Sequence, residues 1–264
     1  MKKITALALA LLMTGAMFTG CGKNLPKVAV AKEADLAGLK IGVQGGTTGE
    51  SYVNDTLPEL GFAAKEVLPF KSGMDAALDL KNGGIDAIVL DELPAKSIVD
   101  QNDDLTIVDL GLEPEKYAIA VKKGNTELVE KINATIARMK EDGTYQSLND
   151  AFMPADGNIK IPENKATEGS ETIVMGTNAA FAPFEYLSGT DIVGFDISMS
   201  QEIASDMNKK LEVSNMDFDA LLPALAAGQI DFIAAGMSVK PERLEFADFS
   251  DTYYESKQVV ILRK

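Results

Sequence analysis

Leu39-Lys40-Ile41-Gly42-Val43-Gln44-Gly45-Gly46-Thr47-Thr48-Gly49-Glu50 is the stretch on which the reading of this chain turns. Its short apolar run, Lys40 to Val43, reads as a buried strand that opens into a glycine-rich loop, and a helix is expected to begin near Glu50. Free N–H groups at a helix start, beside the hydroxyls of Thr47 and Thr48, make a seat for an anion. The spacing is neither a Walker A loop nor GxGxxG, so nucleotide phosphates are not implied.

Outward from this point the pattern repeats. A strand is expected over 64–70, a helix over 72–81 and a strand over 85–90, which is βαβ material and implies a mostly parallel sheet with helices on its faces. Residues 117–122 (YAIAVK) read as a strand, and 126–152 as a helical pair broken at Gly143. The polar stretch 154–170, punctuated by proline and glycine, reads as a linker spanning roughly 20 Å on average. A second βα region follows, with strands over 172–176, 211–214, 230–235 and 257–263, and helices over 195–208, 217–227 and 241–246. The expected division is a lobe over 38–112 and another over 113–264, the latter made of terminal helices (113–153), the linker (154–170) and a lobe body (171–264). Two α/β lobes invite a ligand between them, at the carboxyl ends of their strands.

Candidate binding groups sit at those ends. After strand 230–235 come Ala235, Gly236, Ser238 and Arg243: the glycine admits a ligand to the backbone, the serine donates, and the guanidinium forks onto a carboxylate. Taken alone, Ser238 is equally a helix cap and Arg243 a surface charge paired with Glu242 or Glu245. Asp91 ends strand 85–90, where it binds an ammonium or merely caps the next helix. Phe181 and Phe218 lie at strand-to-helix junctions, as pocket walls or as ordinary core. Together, one arginine, one anion seat, one carboxylate and two rings suit a zwitterion.

Composition narrows the classes further. The chain has 264 residues, a formal charge of −15 and no histidine. Nothing in that balance would neutralise phosphates, so nucleic acid is not an expected partner. The missing histidine removes Ser-His-Asp and Cys-His catalysis and most zinc sites, and no metal or cofactor is expected. Residues 1–20 carry a two-lysine start, an apolar run and a small-residue end, the signature of a secretory signal. Cys21, the only cysteine, follows at once. Phe18-Thr19-Gly20-Cys21 resembles a bacterial lipobox, with Phe18 in place of the usual aliphatic residue, so Cys21 is the expected lipidation point and 21–37 a lipid-anchored N-terminal segment. The alternative is an ordinary signal peptide with a stray thiol. The expected location is the outer face of a membrane, extracellular or periplasmic.

GTNAAFAPFEY, GFDISMSQEIA, DFDALLPALAAGQIDFIAAGMSVKPERLEFADFSDTYY, GLKIGVQGGTTGE, GGIDAIVLDELPAK and NATIARMKEDGTYQSLNDAF together resemble the extracellular solute-binding proteins of polar amino-acid ABC transporters. The resemblance implies a two-lobed α/β fold of the periplasmic-binding-protein type II kind, no enzymatic activity, and an amino-acid ligand handed to an ABC permease. It implies that Arg243 clasps the α-carboxylate with help from Ser238 and Thr48. It assigns the α-ammonium to Asp91, the backbone of Gly236 and the Ser238 hydroxyl. Phe181 and Phe218 would sandwich the ligand, while Gln44, Thr47, Asn178 and Ala235 line the pocket or meet the side chain. Cationic-ligand members often carry an acid where this chain has Asn178, so a neutral polar ligand such as glutamine gains on lysine or arginine.

Lobe order departs from the family. Members begin with the GTNAAFAPFEY lobe, whereas this chain begins with the GLKIGVQGGTTGE lobe, as in a circular permutation with 154–170 joining old ends. Residues 27–32 (KVAVAK) resemble the terminal VVILRK, as if each end kept a copy of a hinge strand. This order predicts a single covalent crossing between lobes near 112–117, with 27–32 and 258–264 completing the hinge non-covalently, and room for a domain-swapped dimer. Two other functions fit the same fold: a cyclohexadienyl-dehydratase-like enzyme using Glu50 or Glu92 as an acid, and an amino-acid sensor without transport.

Overall fold

The computed structural model describes residue 25, residues 27–163, residue 165 and residues 169–264. The expected signal segment and Cys21 lie outside these residues. Among the described residues no helix is long and apolar enough to cross a membrane.

The first lobe strings together β1 (Lys40–Gln44), α1 (Thr48–Ser51) running through a π turn (Tyr52–Thr56) into α2 (Leu57–Glu59), β2 (Glu66–Phe70), α3 (Gly73–Asn82), β3 (Ala87–Asp91), α4 (Glu92–Asp100) and β4 (Leu105–Val108). β1 pairs in parallel with both β2 and β3, as the βαβ reading requires. Ser72 starts α3 by accepting the Asp75 N–H, and Gly83 ends it in the left-handed conformation at φ +80°.

From there β5 (Glu115–Tyr117) and β6 (Ala120–Lys122) lead into α5 (Thr126–Asp142) and α6 (Thr144–Phe152). The helical pair breaks at Gly143, which takes φ +85°. The second lobe continues with β7 (Glu171–Thr177), β8 (Ala180–Phe181), β9 (Glu185–Ser188), β10 (Asp191–Val193), α7 (Phe195–Asp206), β11 (Lys209–Asn215), a 3-10 turn (Phe218–Ala220), α8 (Leu221–Ala227), β12 (Phe232–Ile233), α9 (Pro241–Leu244) and β13 (Ala247–Phe249). Its sheet runs β11-β7-β12-β6-β13, with β7 parallel to its neighbours and β6 antiparallel to both of its own. The described residues of 154–170 form neither helix nor strand.

The chain then closes with β14 (Tyr254–Ser256) and β15 (Gln258–Arg263). β15 overturns the expected assignment of 113–264 to one lobe: it leaves the second lobe and inserts between β3 and β4, antiparallel to each, in the order β2-β1-β3-β15-β4. The cause is burial on both faces. Val259 and Ile261 enter the cluster holding Ile88 and Leu90, while Val260 and Leu262 enter the one holding Val43 and Val89. At about 1.5–3 kcal/mol per buried side chain, withdrawing this strand would cost on the order of 6 kcal/mol, as much as many domains' whole stability.

Further corrections follow. The chain crosses between lobes twice, not once, and the crossings pair as a ribbon: β5 runs antiparallel to β14, Tyr117 opposite Tyr254 and Glu115 opposite Ser256. The single crossing on which the expectation of lobe exchange rested is therefore replaced by a double one. Residues 27–32 are not a hinge strand; β15 holds that place in the sheet, and Val28 and Val30 lie against the Val260–Leu262 cluster instead. The strand read over 117–122 is also split, because the chain turns at Ala118 and Ile119 from the ribbon into the second sheet. The described ends meet: Leu25 sits against Gly83, and Arg263 donates to the carbonyls of Leu80 (2.6 Å) and Ile85 (2.7 Å) on the same turn.

Candidate functional site

The residues singled out from sequence converge where the two lobes face each other. Gln44 ends β1, Thr47 and Thr48 begin the helix after it, and Asp91 ends β3. From the other lobe, Asn178 follows β7, Phe181 lies in β8, Phe218 in the turn after β11, Ala235, Gly236 and Ser238 follow β12, and Arg243 lies in α9. All are buried. Their common address is a consequence of α/β architecture, in which strand ends deliver loops and helix starts to one edge.

Three contacts stitch the lobes together there. The Gln44 amide donates to Asn178 Oδ1 at 3.0 Å, and Asn178 in turn donates to the Met216 carbonyl at 2.8 Å. Arg243 sends Nη2 across to the Gly46 carbonyl at 2.9 Å and Nη1 to the Ser238 carbonyl at 2.8 Å, with its guanidinium 5.6 Å over the Phe218 ring. That places a forked cation on an aromatic face, a strong arrangement for reading a planar carboxylate. The third contact was not foreseen: Glu115, half-buried on β5, accepts from the hydroxyls of Thr48 and Ser238, each at 2.6 Å.

Asp91 accepts from the Tyr117 hydroxyl. Burial raises its pKa to about 6, reinforced by the negative charge of Glu115 and opposed by hydrogen bonds from Tyr117 and Gln258. Burial lowers the pKa of Arg243, and Glu115, Glu242 and Asp91 push back. Arginine keeps its proton through any such shift. A buried cation on one lobe thus faces a buried carboxylate on the other.

Behind Gly236 lies a second buried group. Asp196 accepts from the Gly236 N–H at 2.9 Å and the Tyr253 hydroxyl at 2.6 Å. Its pKa is raised to about 6 by burial, and the buried Glu185 beside it is pushed far higher by burial and by Asp196. This pair fixes the backbone of Gly236, whose φ of +54° favours glycine.

The two acids considered for chemistry are engaged elsewhere. Glu50 accepts the Gly46 N–H at 2.7 Å, and Glu92 lies 3.7 Å from Lys257. Sequence reasoning missed Glu115, Tyr117 and Gln258. The signal was present for the first two, since residues two apart on a strand share a face and Tyr117 had already been read as strand. Glu115 was passed over because a charge beside Lys116 resembles a solvated edge.

Comparison with known proteins fits this geometry. The profile of the bacterial extracellular solute-binding proteins, family 3, matches residues 23–155 and 173–264. The "Arginine-binding extracellular protein ArtP" of Bacillus subtilis (strain 168) is 40% identical over 96 residues, 36% of this chain and 38% of that protein. "ABC transporter arginine-binding protein 1" of Escherichia coli (strain K12) is 34% identical over 126 residues, 46% of this chain and 50% of that one. The chain thus spans half the length, or less, of the curated relatives it matches. Among solved structures, an ancestral arginine-binding protein bound to arginine is 43% identical over 31% of this chain and 37% of its own, at a TM-score of 0.31.

Proposed function

Because this chain belongs to the bacterial extracellular solute-binding proteins, family 3, we propose that it is a receptor that closes its two lobes on one polar α-amino acid and hands it to an ABC permease. The observation that carries this reading is the placement of Arg243 and Asp91: opposite charges, both buried, one on each lobe. A zwitterion satisfies both, its carboxylate on Arg243, Thr48 and Ser238 and its ammonium on Asp91 and Gly236. Phe181 and Phe218 wall the site, Phe218 already holding the guanidinium on its face. Around the side-chain end, Gln44 and Asn178 present neutral amides, which suit an uncharged polar side chain such as glutamine more than a cation.

Calorimetric titration against the twenty amino acids tests this. Micromolar or tighter binding of one or a few is expected, weakened about thirtyfold or more in Arg243→Ala, since unpairing a buried charge costs about 2–5 kcal/mol. No heat and no thermal shift with any amino acid would sink the reading. Glutamine titrated beside arginine, histidine and cystine tests the side-chain preference.

The lobe order belongs to the same reading as a circular permutation. Its support is the family match in two blocks and the meeting of Leu25 and Arg263 on one turn. A chain re-cut to begin at residue 171, with the present ends joined, is expected to bind the same amino acid. Export with a lipid tether at Cys21 completes the proposal; labelling with a radioactive fatty acid, lost in Cys21→Ser, checks it.

A further inference from the structure

Glu115 carries an inference beyond ligand identity, and it rests on the amino-acid reading above. One of its oxygens, Oε2, accepts from Thr48 Oγ1 on the first lobe and from Ser238 Oγ on the second. Those are the hydroxyls that the reading gives to the ligand's carboxylate. Thr48 is held ready for this geometry, because Gln258 donates to its oxygen at 3.2 Å and leaves its single proton for Glu115. A hydroxyl has one proton to give. Thr48 and Ser238 therefore serve either Glu115 or an incoming carboxylate, not both at full strength.

The surroundings single out this carboxylate as a stand-in rather than a surface charge. Glu115 lies close enough to Arg243 to favour its charge and close enough to Asp91 to oppose ionisation there, so it sits in the field between the two groups assigned to a zwitterion. It projects from β5, the ribbon strand that also supplies Tyr117 to Asp91. Residues 115 and 117 are two apart on a strand and face the same side. One ribbon strand thus reaches the groups meant for each end of the ligand.

We propose that Glu115 is an internal carboxylate that bridges the two lobes through Thr48 and Ser238 and competes with the ligand's α-carboxylate for them. It sets affinity from inside the protein. Ligand wins because its carboxylate adds the Arg243 fork to the same hydroxyls, whereas an amine or alcohol without a carboxylate has nothing with which to displace Glu115. The device lowers affinity for α-amino acids, whose carboxylate must take these two hydroxyls from Glu115 before it can bind.

The test compares wild type with Glu115→Ala and Glu115→Gln, each verified as folded by its thermal melt, using calorimetric titration with L-glutamine and L-arginine. Hydrogen bonds to a charged acceptor stabilise by about one factor of ten, so Glu115→Ala is expected to bind about tenfold more tightly. Glu115→Gln keeps an acceptor of about half the strength and falls between. Small-angle X-ray scattering without amino acid is expected to show a larger radius of gyration for Glu115→Ala than for wild type, because the Glu115 bridge is gone and the lobes are held by the remaining Gln44–Asn178, Arg243–Gly46 and Lys71–Asp217 contacts. Equal or weaker binding by Glu115→Ala, while wild type binds, overturns the competition and leaves the amino-acid reading intact. Absence of heat in wild type with both probes and with every other amino acid overturns both. An unchanged radius of gyration in Glu115→Ala overturns the bridge.

Discussion

Asp91 and Asp196 are the same residue in nearly the same predicament. Both are buried, both have a pKa raised to about 6 mainly by burial, and each accepts from a tyrosine, Tyr117 for one and Tyr253 for the other. Those tyrosines lie near each other, with ring centroids 6.3 Å apart. What separates the two aspartates is the origin of their partners. Asp196 accepts from Gly236 and Tyr253, both reached from the second lobe, with Glu185 of the same lobe buried beside it. Asp91 takes one partner, Tyr117, from the ribbon between lobes and another, Gln258, from β15, and it feels the negative charge of Glu115 on the ribbon. The two buried acids therefore differ in where their partners come from: one lobe for Asp196, the ribbon and the first-lobe sheet for Asp91.

The largest expected effect is a crossed result between paired variants. Asp91→Asn is expected to lose amino-acid binding at least a hundredfold in calorimetry, about 3 kcal/mol, with no fall in melting temperature at neutral pH. Asp196→Asn should do the reverse, losing about 1–3 kcal/mol of stability, several degrees in melting temperature, with less than tenfold change in binding. Equal effects of both variants on binding would erase the distinction between them.

Acidity gives a smaller and more diagnostic test. The folded pKa of Asp91, about 6, lies above its ordinary 3.8. The native state therefore holds the proton more tightly than the unfolded chain, and stability from this group falls as pH rises from about 4 through 6, then levels. The lead of wild type over Asp91→Asn should shrink by on the order of 3 kcal/mol across that window, followed by urea unfolding. Binding should move the opposite way, since an ammonium needs Asp91 ionised: affinity falls as pH drops through about 6, by calorimetry between about pH 5 and pH 7.5. A flat profile would place the ammonium elsewhere.

The smallest effect tests how the two networks touch at Gly236. A Cβ there would stand 2.6 Å from the Phe181 ring and 3.3 Å from that of Tyr117, on a backbone at φ +54°. Gly236→Ala is expected to cost about 1–2 kcal/mol of stability and a few-fold in affinity, because the ring of Phe181 must shift and an L side chain resists that φ.

Much of this was legible from residues alone, for definite reasons. β1, β3 and β7 are apolar runs ending in polar loops, and Gly143 marks a helix break that no other residue takes as easily. The candidate site residues could be gathered from the sequence because strand ends bring them together whatever the chain order. Placement of β15 was not: its apolar run announces a strand, yet which sheet receives it depends on the unfilled slot between β3 and β4, a tertiary fact. The copy at 27–32 failed as a strand for the same reason, its slot being already taken. β5 and β14, Glu-Lys-Tyr and Tyr-Glu-Ser, are too short and too polar to show any period. Missing them hid the ribbon, and with it Glu115.

That ribbon is not symmetrically shared. The Ala118 N–H donates to Met237 and the Val239 N–H to Lys116, both at 3.0 Å, so β5 is tied to the body of the second lobe. The link to the first lobe runs through 109–114 on one crossing and through Lys257, whose carbonyl accepts the Glu92 N–H at 3.0 Å, on the other. Lys257 also grips Asp109 at 2.6 Å, linking the two crossings side by side. The two crossings are thereby joined to each other by backbone pairing and by an ion pair, so a strain that turns one is passed to the other.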